Sequence, residues 1–238
     1  MARGKTGARE KAEEKQGRGI KFVLAGIALL FAGFLSFSWQ PLSVIGFPLG
    51  MVGVILIVIG FFISSTAETW ELGAAGEEEV IKKLDKLGEQ YKVFNDLVLP
   101  GETSNTDHAV VSKKGIQVME TKNLDGKIRC EGDSWERVKT GKRGKEYQGN
   151  IGSPSKQVKR NAMKLKEYLN GKCPEVFENR KVFFEGIVVF TNPEAELDLS
   201  SPTVKVTRPE ELKGIIEKDK KDVFTEDEVR KIEKALKM

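Results

Sequence analysis

Asn105-Thr106-Asp107-His108-Ala109-Val110-Val111-Ser112-Lys113-Lys114-Gly115-Ile116-Gln117-Val118-Met119-Glu120-Thr121-Lys122 decides the fold. It reads as two short apolar strands, Ala109 to Ser112 and Ile116 to Thr121, joined around Lys113, Lys114 and Gly115. Side chains alternate along a strand, so Glu120 and Lys122 project from one face, with Asp107 at the open end of the partner strand. A loop with an even number of residues sets Asp107 opposite Glu120; a three-residue loop opposes it to Thr121 instead. Two adjacent carboxylates repel, which raises a pKa unless a cation lies between them. Hard oxygen ligands of this kind suit Mg²⁺ or Mn²⁺, and a lysine beside the ion can orient or help deprotonate a water. The chemistry that follows is phosphodiester hydrolysis. An acid and a lysine two apart also make an ordinary surface ion pair in a chain that is 31% charged, so the rest of the sequence must support the site.

The 238 residues suit one globular domain plus an appendage. Phe22 to Ser38 and Leu42 to Ile63 are uncharged apolar runs, separated by Trp39-Gln40-Pro41. As a helix the second spans about 33 Å and the first somewhat less, so together they read as a transmembrane hairpin. Trp39 falls at its turn and Trp70 just beyond the second span, where interfacial aromatics are expected. A signal peptide is the competing reading of the first run; its length, the lack of a small-x-small cleavage site and the second span argue against it. Arg3, Lys5, Arg9, Lys11, Lys15, Arg18 and Lys21 precede the first span while the turn has no base, which puts both termini and the soluble domain in the cytoplasm. The same arm can rest on anionic lipid headgroups.

Lys and Arg total 39 against 35 acids; without the arm's seven bases and three acids, 32 of each remain. The domain beyond the arm is neutral overall, so an anionic partner must be met by a local patch. Arg137 to Lys166 supplies one, with ten bases and the single acid Glu146. Lys142, Arg143, Lys145, Lys156, Lys159 and Arg160 within it are the candidate nucleic-acid contacts. Cys130 and Cys173 fit no zinc spacing and stay reduced in a cytoplasmic domain. His108 is the only histidine, and Asp107 beside it points to the opposite strand face, which argues against a Ser-His-Asp or Cys-His triad.

Gly73 to Glu79 leads into a helix with Val80, Ile81, Leu84 and Leu87 at helical spacing, its first-turn acids suiting the dipole. Tyr91 to Leu99 reads as a strand closed by Pro100-Gly101. The triplet Ala109-Val110-Val111 predicts a strand buried on both faces. Gly141 to Gly152 reads as a basic, glycine-rich loop without a phosphate-loop motif, and no ATP site is expected. Ser153 and Pro154 start a helix that turns Val158, Ala162, Leu165 and Leu169 inward, with Gln157 near its beginning. Val182 to Phe190 is an apolar strand, so a strand-helix-strand crossover predicts parallel pairing. A strand Thr203 to Val206, a helix from Pro209 and a helix capped by Thr225-x-x-Glu228 close the chain.

This order of signals resembles the NERD (nuclease-related) domain family, a branch of the PD-(D/E)xK nuclease-like superfamily. The residues that carry the likeness are Gly73, Gly76 and Glu77; Asp107 before its apolar triplet; Gly115-Ile116-x-Val118-x-Glu120-Thr121-Lys122-Asn123; Gly126; Trp135; Gln157; and Val188-Val189-Phe190. The resemblance implies an α/β nuclease-like core with a central mixed β-sheet flanked by helices, here preceded by two transmembrane helices. It implies Asp107 and Glu120 as metal ligands, Lys122 at the attacking water, Glu77 as a further acid near the metal and Gln157 in support.

The expected organisation is a basic arm (1–21), a transmembrane hairpin (22–63), a linker (64–72), the nuclease-like domain (73–190) and a C-terminal strand and helices packing on it (191–238). The expected function is Mg²⁺- or Mn²⁺-dependent cleavage of DNA, or RNA, at a membrane. The alternative is a non-catalytic, membrane-tethered module that binds nucleic acid or a protein on the same scaffold.

Overall fold

The computed structural model describes residues 6–37, 43–140, 144–178, 180, 182–218 and 221–237. It divides into two compact units, Met1–Ala74 and Ala75–Met238. Helix α1 (Gly7–Phe37) lies in the first, and α2 (Ser43–Leu84) begins there and ends in the second. Residues 64–72, read as a linker, are helix within α2, and the basic arm is helical from Gly7.

The first unit is organised by small residues seven apart. Ala12, Gly19, Gly26 and Gly33 on α1 and Gly46, Gly53, Gly60 and Ala67 on α2 are all buried. A methyl group added to Gly26 would lie 2.6 Å from the Gly53 carbonyl oxygen, and one on Gly53 would lie 2.7 Å from that of Gly26. Gly19 and Gly33 stand in the same relation to Gly60 and Gly46, at 2.8 Å each. The helices are therefore antiparallel with their backbones in contact, and the seven-residue period implies a left-handed supercoil. The bulky side chains, Leu24, Phe31, Phe34, Phe47, Val58, Phe61 and Phe62 among them, face outward. Both helices are long and apolar enough to cross a membrane. Only 22% and 17% of their apolar windows are buried, unlike the core helix of a soluble protein. The expected turn at Trp39 lies outside the described residues.

The second unit is a mixed α/β fold with two sheets. The first has the order β1 (Lys92–Val98), β2 (Asn105–Ser112), β3 (Gly115–Lys122), β7 (Phe184–Phe190) and β9 (Lys205–Thr207). β1, β2 and β3 are antiparallel, while β7 and β9 join in parallel, as the crossover predicts. One face packs Ala109, Val111, Ile116, Val118 and Val188 against helix α3 (Pro154–Lys172). The other packs Val110, Met119, Ile187 and Val189 against Val80 and Leu84 of α2 and against α5 (Pro209–Glu217). Burial on both faces explains the unbroken apolar triplet of β2.

The second sheet has the order β6 (Glu146–Asn150), β5 (Ser134–Thr140), β4 (Gly126–Glu131) and β8 (Ala195–Ser200). Trp135 on β5 ties it to the first: its ring stacks on Phe190 at 5.7 Å between centroids, and its Nε1–H donates to the buried Ser155 Oγ at 2.8 Å. The stretch Gly141 to Gly152, read as a loop, thus contains β6. Its side chains are all exposed, so the backbone pairing left no apolar alternation to detect.

The short α4 (Pro174–Phe177) follows α3, and α6 (Glu226–Leu236) packs Val229, Ile232 and Leu236 into the core on the α3 side. Thr225 and Glu228 form the capping box that opens α6. Just before α6, the Val223 and Phe224 N–H groups donate to the Lys113 carbonyl at 2.7 and 2.9 Å. The C-terminal segment thereby clamps the β2–β3 turn, at the end of the hairpin away from Asp107.

Candidate active site

The turn meets the even-loop condition. Ser112 pairs with Gly115, leaving a two-residue loop of Lys113 and Lys114, and Gly115 takes the positive φ of 121°. One step beyond the last paired residues, His108 and Met119, the same register sets Asp107 across from Glu120. β3 lies between β2 and β7, so Glu120 sits in a central strand and is only 2% exposed. An ionised carboxylate is costly there unless paired.

The pairing is partial. Lys122 Nζ lies 2.6 Å from Glu120 Oε1 and donates to Gln157 Oε1 at 3.2 Å. Gln157 is held in place by the start of α3, where Pro154 follows the N-cap Ser153 and the Ser153 hydroxyl accepts the Lys156 N–H. Asp107 Oδ2 accepts the Thr121 backbone N–H at 2.8 Å. Glu120 Oε2 is buried with no hydrogen-bond partner. Burial first, and then the Asp107 charge, push the Glu120 carboxyl up to about 7 against the opposing pull of Lys122. Burial raises Asp107 as well, partly offset by the Thr121 N–H and Lys122.

Lys122 therefore neutralises only part of the charge that two close carboxylates would carry. The orphaned oxygen and the hard donor set fit a divalent cation of the Mg²⁺ or Mn²⁺ kind, which commonly binds through one or two carboxylates and otherwise keeps water or phosphate oxygens. Among the described residues no group of three or more His, Cys, Asp or Glu side chains forms a metal cluster. Glu77 lies one turn before Val80 on α2, which covers the sheet face opposite Glu120. Its neighbour Gly76 meets the end of the sheet so closely that a Cβ there would lie 2.7 Å from Thr191 Oγ1 and 3.0 Å from Asn123 Cβ.

Behind the carboxylates is an arrangement that sequence reasoning missed. His108 points to the opposite face from Asp107, as alternation requires, and is buried. Its Nδ1 lies 2.8 Å from Asn95 Oδ1 and its Nε2 3.2 Å from Thr121 Oγ1. Burial depresses its pKa to about 3, so the ring is neutral. The Asn95 oxygen can only accept, which puts the proton on Nδ1 and leaves Nε2 to accept the Thr121 hydroxyl. Thr121 is thus held through its side chain on one face while its N–H holds Asp107. The signal available was a lone histidine in a doubly buried strand, where a ring nitrogen must find a partner.

The basic window is less free than its composition suggests. Arg137 and Lys139 pair with Asp125, Lys159 with Asp133, and Lys164 with Glu102, all acids from outside the window. Lys145 lies over the Tyr147 ring at 5.9 Å. Lys156 and Arg160, in the first two turns of α3, take no ion pair among the described residues, and the Arg160 charge pulls the Glu120 pKa down. Lys142 and Arg143 lie outside the described residues.

A family model for the nuclease-related domain matches residues 72–191, half of the chain. No curated protein and no solved structure matches it. The matched stretch takes in Glu77, Asp107, Glu120, Lys122 and Gln157, together with the crossover from β3 through α3 to β7. The chain belongs to the nuclease-related domain, or NERD, family.

Proposed function

We propose that this protein is a membrane-anchored, divalent-metal-dependent nuclease that hydrolyses phosphodiester bonds of DNA, or of RNA. The observation that carries the reading is the Asp107–Glu120 pair, in which Asp107 is half-buried and Glu120 is buried, held beside Lys122 and left with an unpartnered oxygen. Asp107 and Glu120 would hold Mg²⁺ or Mn²⁺. When bound, such an ion polarises a phosphate oxygen and lowers the pKa of a water. The chain's own residues do the rest. The Thr121 N–H aims Asp107, Gln157 and Glu120 hold the Lys122 ammonium, and that ammonium stabilises negative charge developing on the phosphate. Arg160 and Lys156 supply positive charge on α3 for the flanking backbone phosphates.

The apolar helices support anchoring, and the seven bases before the first span against none in the turn support cytoplasmic termini. The test is calorimetric titration of Mg²⁺ and Mn²⁺ into the full chain in detergent, beside Asp107→Asn and Glu120→Gln, with cleavage assays on DNA and RNA in the same buffers. Asp107→Asn is expected to lose metal binding and cleavage while retaining nucleic-acid binding. Undiminished cleavage by that variant would refute the site. The second reading, a tethered non-catalytic binding module, draws support from the two-carboxylate site, which lacks a third acidic ligand among the described residues. It requires salt-sensitive binding with no metal-dependent turnover.

A further inference from the structure

The N-terminal unit carries a polar cluster of its own. Lys11, Lys15 and Arg18, spaced i, i+4 and i+7, share one face of α1, and since the helix begins at Gly7 they stand on the same rod as the apolar span. With Glu14 of α1 and Phe62, Ile63 and Thr66 of α2 they line a cavity of about 280 Å³. Lys15 Nζ donates to Thr66 Oγ1 at 3.5 Å, and the Lys11 and Lys15 ammonium groups lie 5.1 and 6.0 Å from the centre of the Trp70 ring. Glu14 is the sole acid in the lining and answers one base, Arg18, at 3.6 Å in an exposed pair. Two positive charges are left facing a cavity whose other wall is the Thr66 hydroxyl and the hydrocarbon of Phe62 and Ile63. Like charges one helical turn apart repel, and an anion between them relieves that repulsion.

The order of chemistry along α2 completes the site. Trp70 comes first, then Thr66, then Phe62 and Ile63, and then the outward apolar flank at Val58 and Ile55. Aromatic, polar and apolar surfaces follow one another in the same order from a membrane interface into its interior. A ligand that fits must present a negative charge at one end and hydrocarbon at the other. Inorganic phosphate lacks the second, and a zwitterionic headgroup brings its own cation to a site already positive.

We infer that this cavity binds the headgroup phosphate of an anionic phospholipid, with the acyl chains along the flank at Phe62. The inference rests on the membrane-spanning reading of the hairpin. The test uses the full chain in bilayer discs of equal parts phosphatidylglycerol and phosphatidylcholine, with retained lipids counted by native mass spectrometry. Phosphatidylglycerol is expected to be retained over phosphatidylcholine by about tenfold or more, since each base near an anionic surface contributes a factor of about five. Lys11→Gln/Lys15→Gln/Arg18→Gln should erase the preference. The charge-matched Lys86→Gln/Lys172→Gln/Lys221→Gln variant should keep it, and millimolar inorganic phosphate should not displace the lipid. Lys11→Gln alone, the mildest change, should weaken the preference by about fivefold.

Equal retention of the two lipids, a preference that survives the triple variant, or displacement by inorganic phosphate overturns the lipid site. The underlying reading has its own readout. A chain released from membranes by an alkaline carbonate wash is not anchored, whereas an anchored chain without lipid preference removes only the headgroup site.

Discussion

Glu120 and His108 lie on opposite faces of one sheet and titrate in opposite senses. The Glu120 carboxyl, near 7 in the fold against an ordinary 4.5, keeps a proton that the unfolded chain has already lost. Its contribution to stability therefore falls as pH rises between those values, and the raised Asp107 acts in the same direction. His108, near 3 against an ordinary 6.5, stays neutral while the unfolded chain takes up a proton, so stability is lost as pH falls through that window. Where the windows overlap the two slopes offset each other. Removing one exposes the other. In metal-free buffer, the stability of Glu120→Gln relative to the parent is expected to rise by up to about 3 kcal/mol between acid and neutral pH. Urea unfolding at a series of pH values measures it, and a constant difference would mean that Glu120 titrates normally. At this scale the sequence was informative about residues whose relation is set by strand alternation or by a helix start: Asp107, Glu120, Lys122 and Gln157. Asn95 was not legible as a partner of His108, because that contact depends on how β1 pairs with β2 across a loop.

At the scale of elements, Gly76 records how tightly α2 meets the end of the first sheet. Glycine inside a helix costs about 1 kcal/mol relative to alanine, so its presence here reflects the space available. Gly76→Val is expected to destabilise the second unit by about 1–3 kcal/mol, because Asn123 Cβ stands close to its own backbone and has little room to retreat. Metal affinity should fall with it, since Asn123 and Thr121 adjoin the carboxylates. A urea midpoint unchanged from the parent would show that the helix end shifts freely. The elements that could be read in advance were those with apolar runs or apolar residues at helical spacing: β1, β2, β3, β7, β9, α3, α5 and α6. β4, β5, β6 and β8 went unread; β6 and β8 expose most of their side chains and owe their form to neighbouring backbone rather than to an apolar pattern. Cross-strand pairing of that kind leaves little trace in composition.

For the whole molecule, charge is more evenly matched than the basic window suggests. With Lys159, Lys164, Arg137 and Lys139 already paired, few of the window's cations are free to meet phosphates: Lys145, Lys156, Arg160 and Lys166 among the described residues. If nucleic acid binds there, the dependence of log affinity on log salt should be shallow, with a slope of about −3 to −4. Fluorescence titration of the full chain with duplex DNA between low and moderate salt checks this. A slope twice as steep would mean that the ion pairs open on binding or that further bases take part. The two-part organisation was legible because apolar runs of that length have few other readings, whereas the pairing of the window's bases was not, since their acids come from distant segments.

The small-residue seam of the first unit has a property that follows from its regularity. Rungs that are alike and evenly spaced do not distinguish one alignment from the next. Sliding α2 by seven residues, about 10 Å of travel, would set Gly53 against Gly19 and Gly46 against Gly26, with the loss of the rung at Gly33. Beyond that rung, what singles out the observed alignment is the part that does not repeat: Trp70 under the Lys11 and Lys15 ammonium groups, and Thr66 bonded to Lys15. One aromatic ring and one hydroxyl thus act as the catch on a sliding bolt.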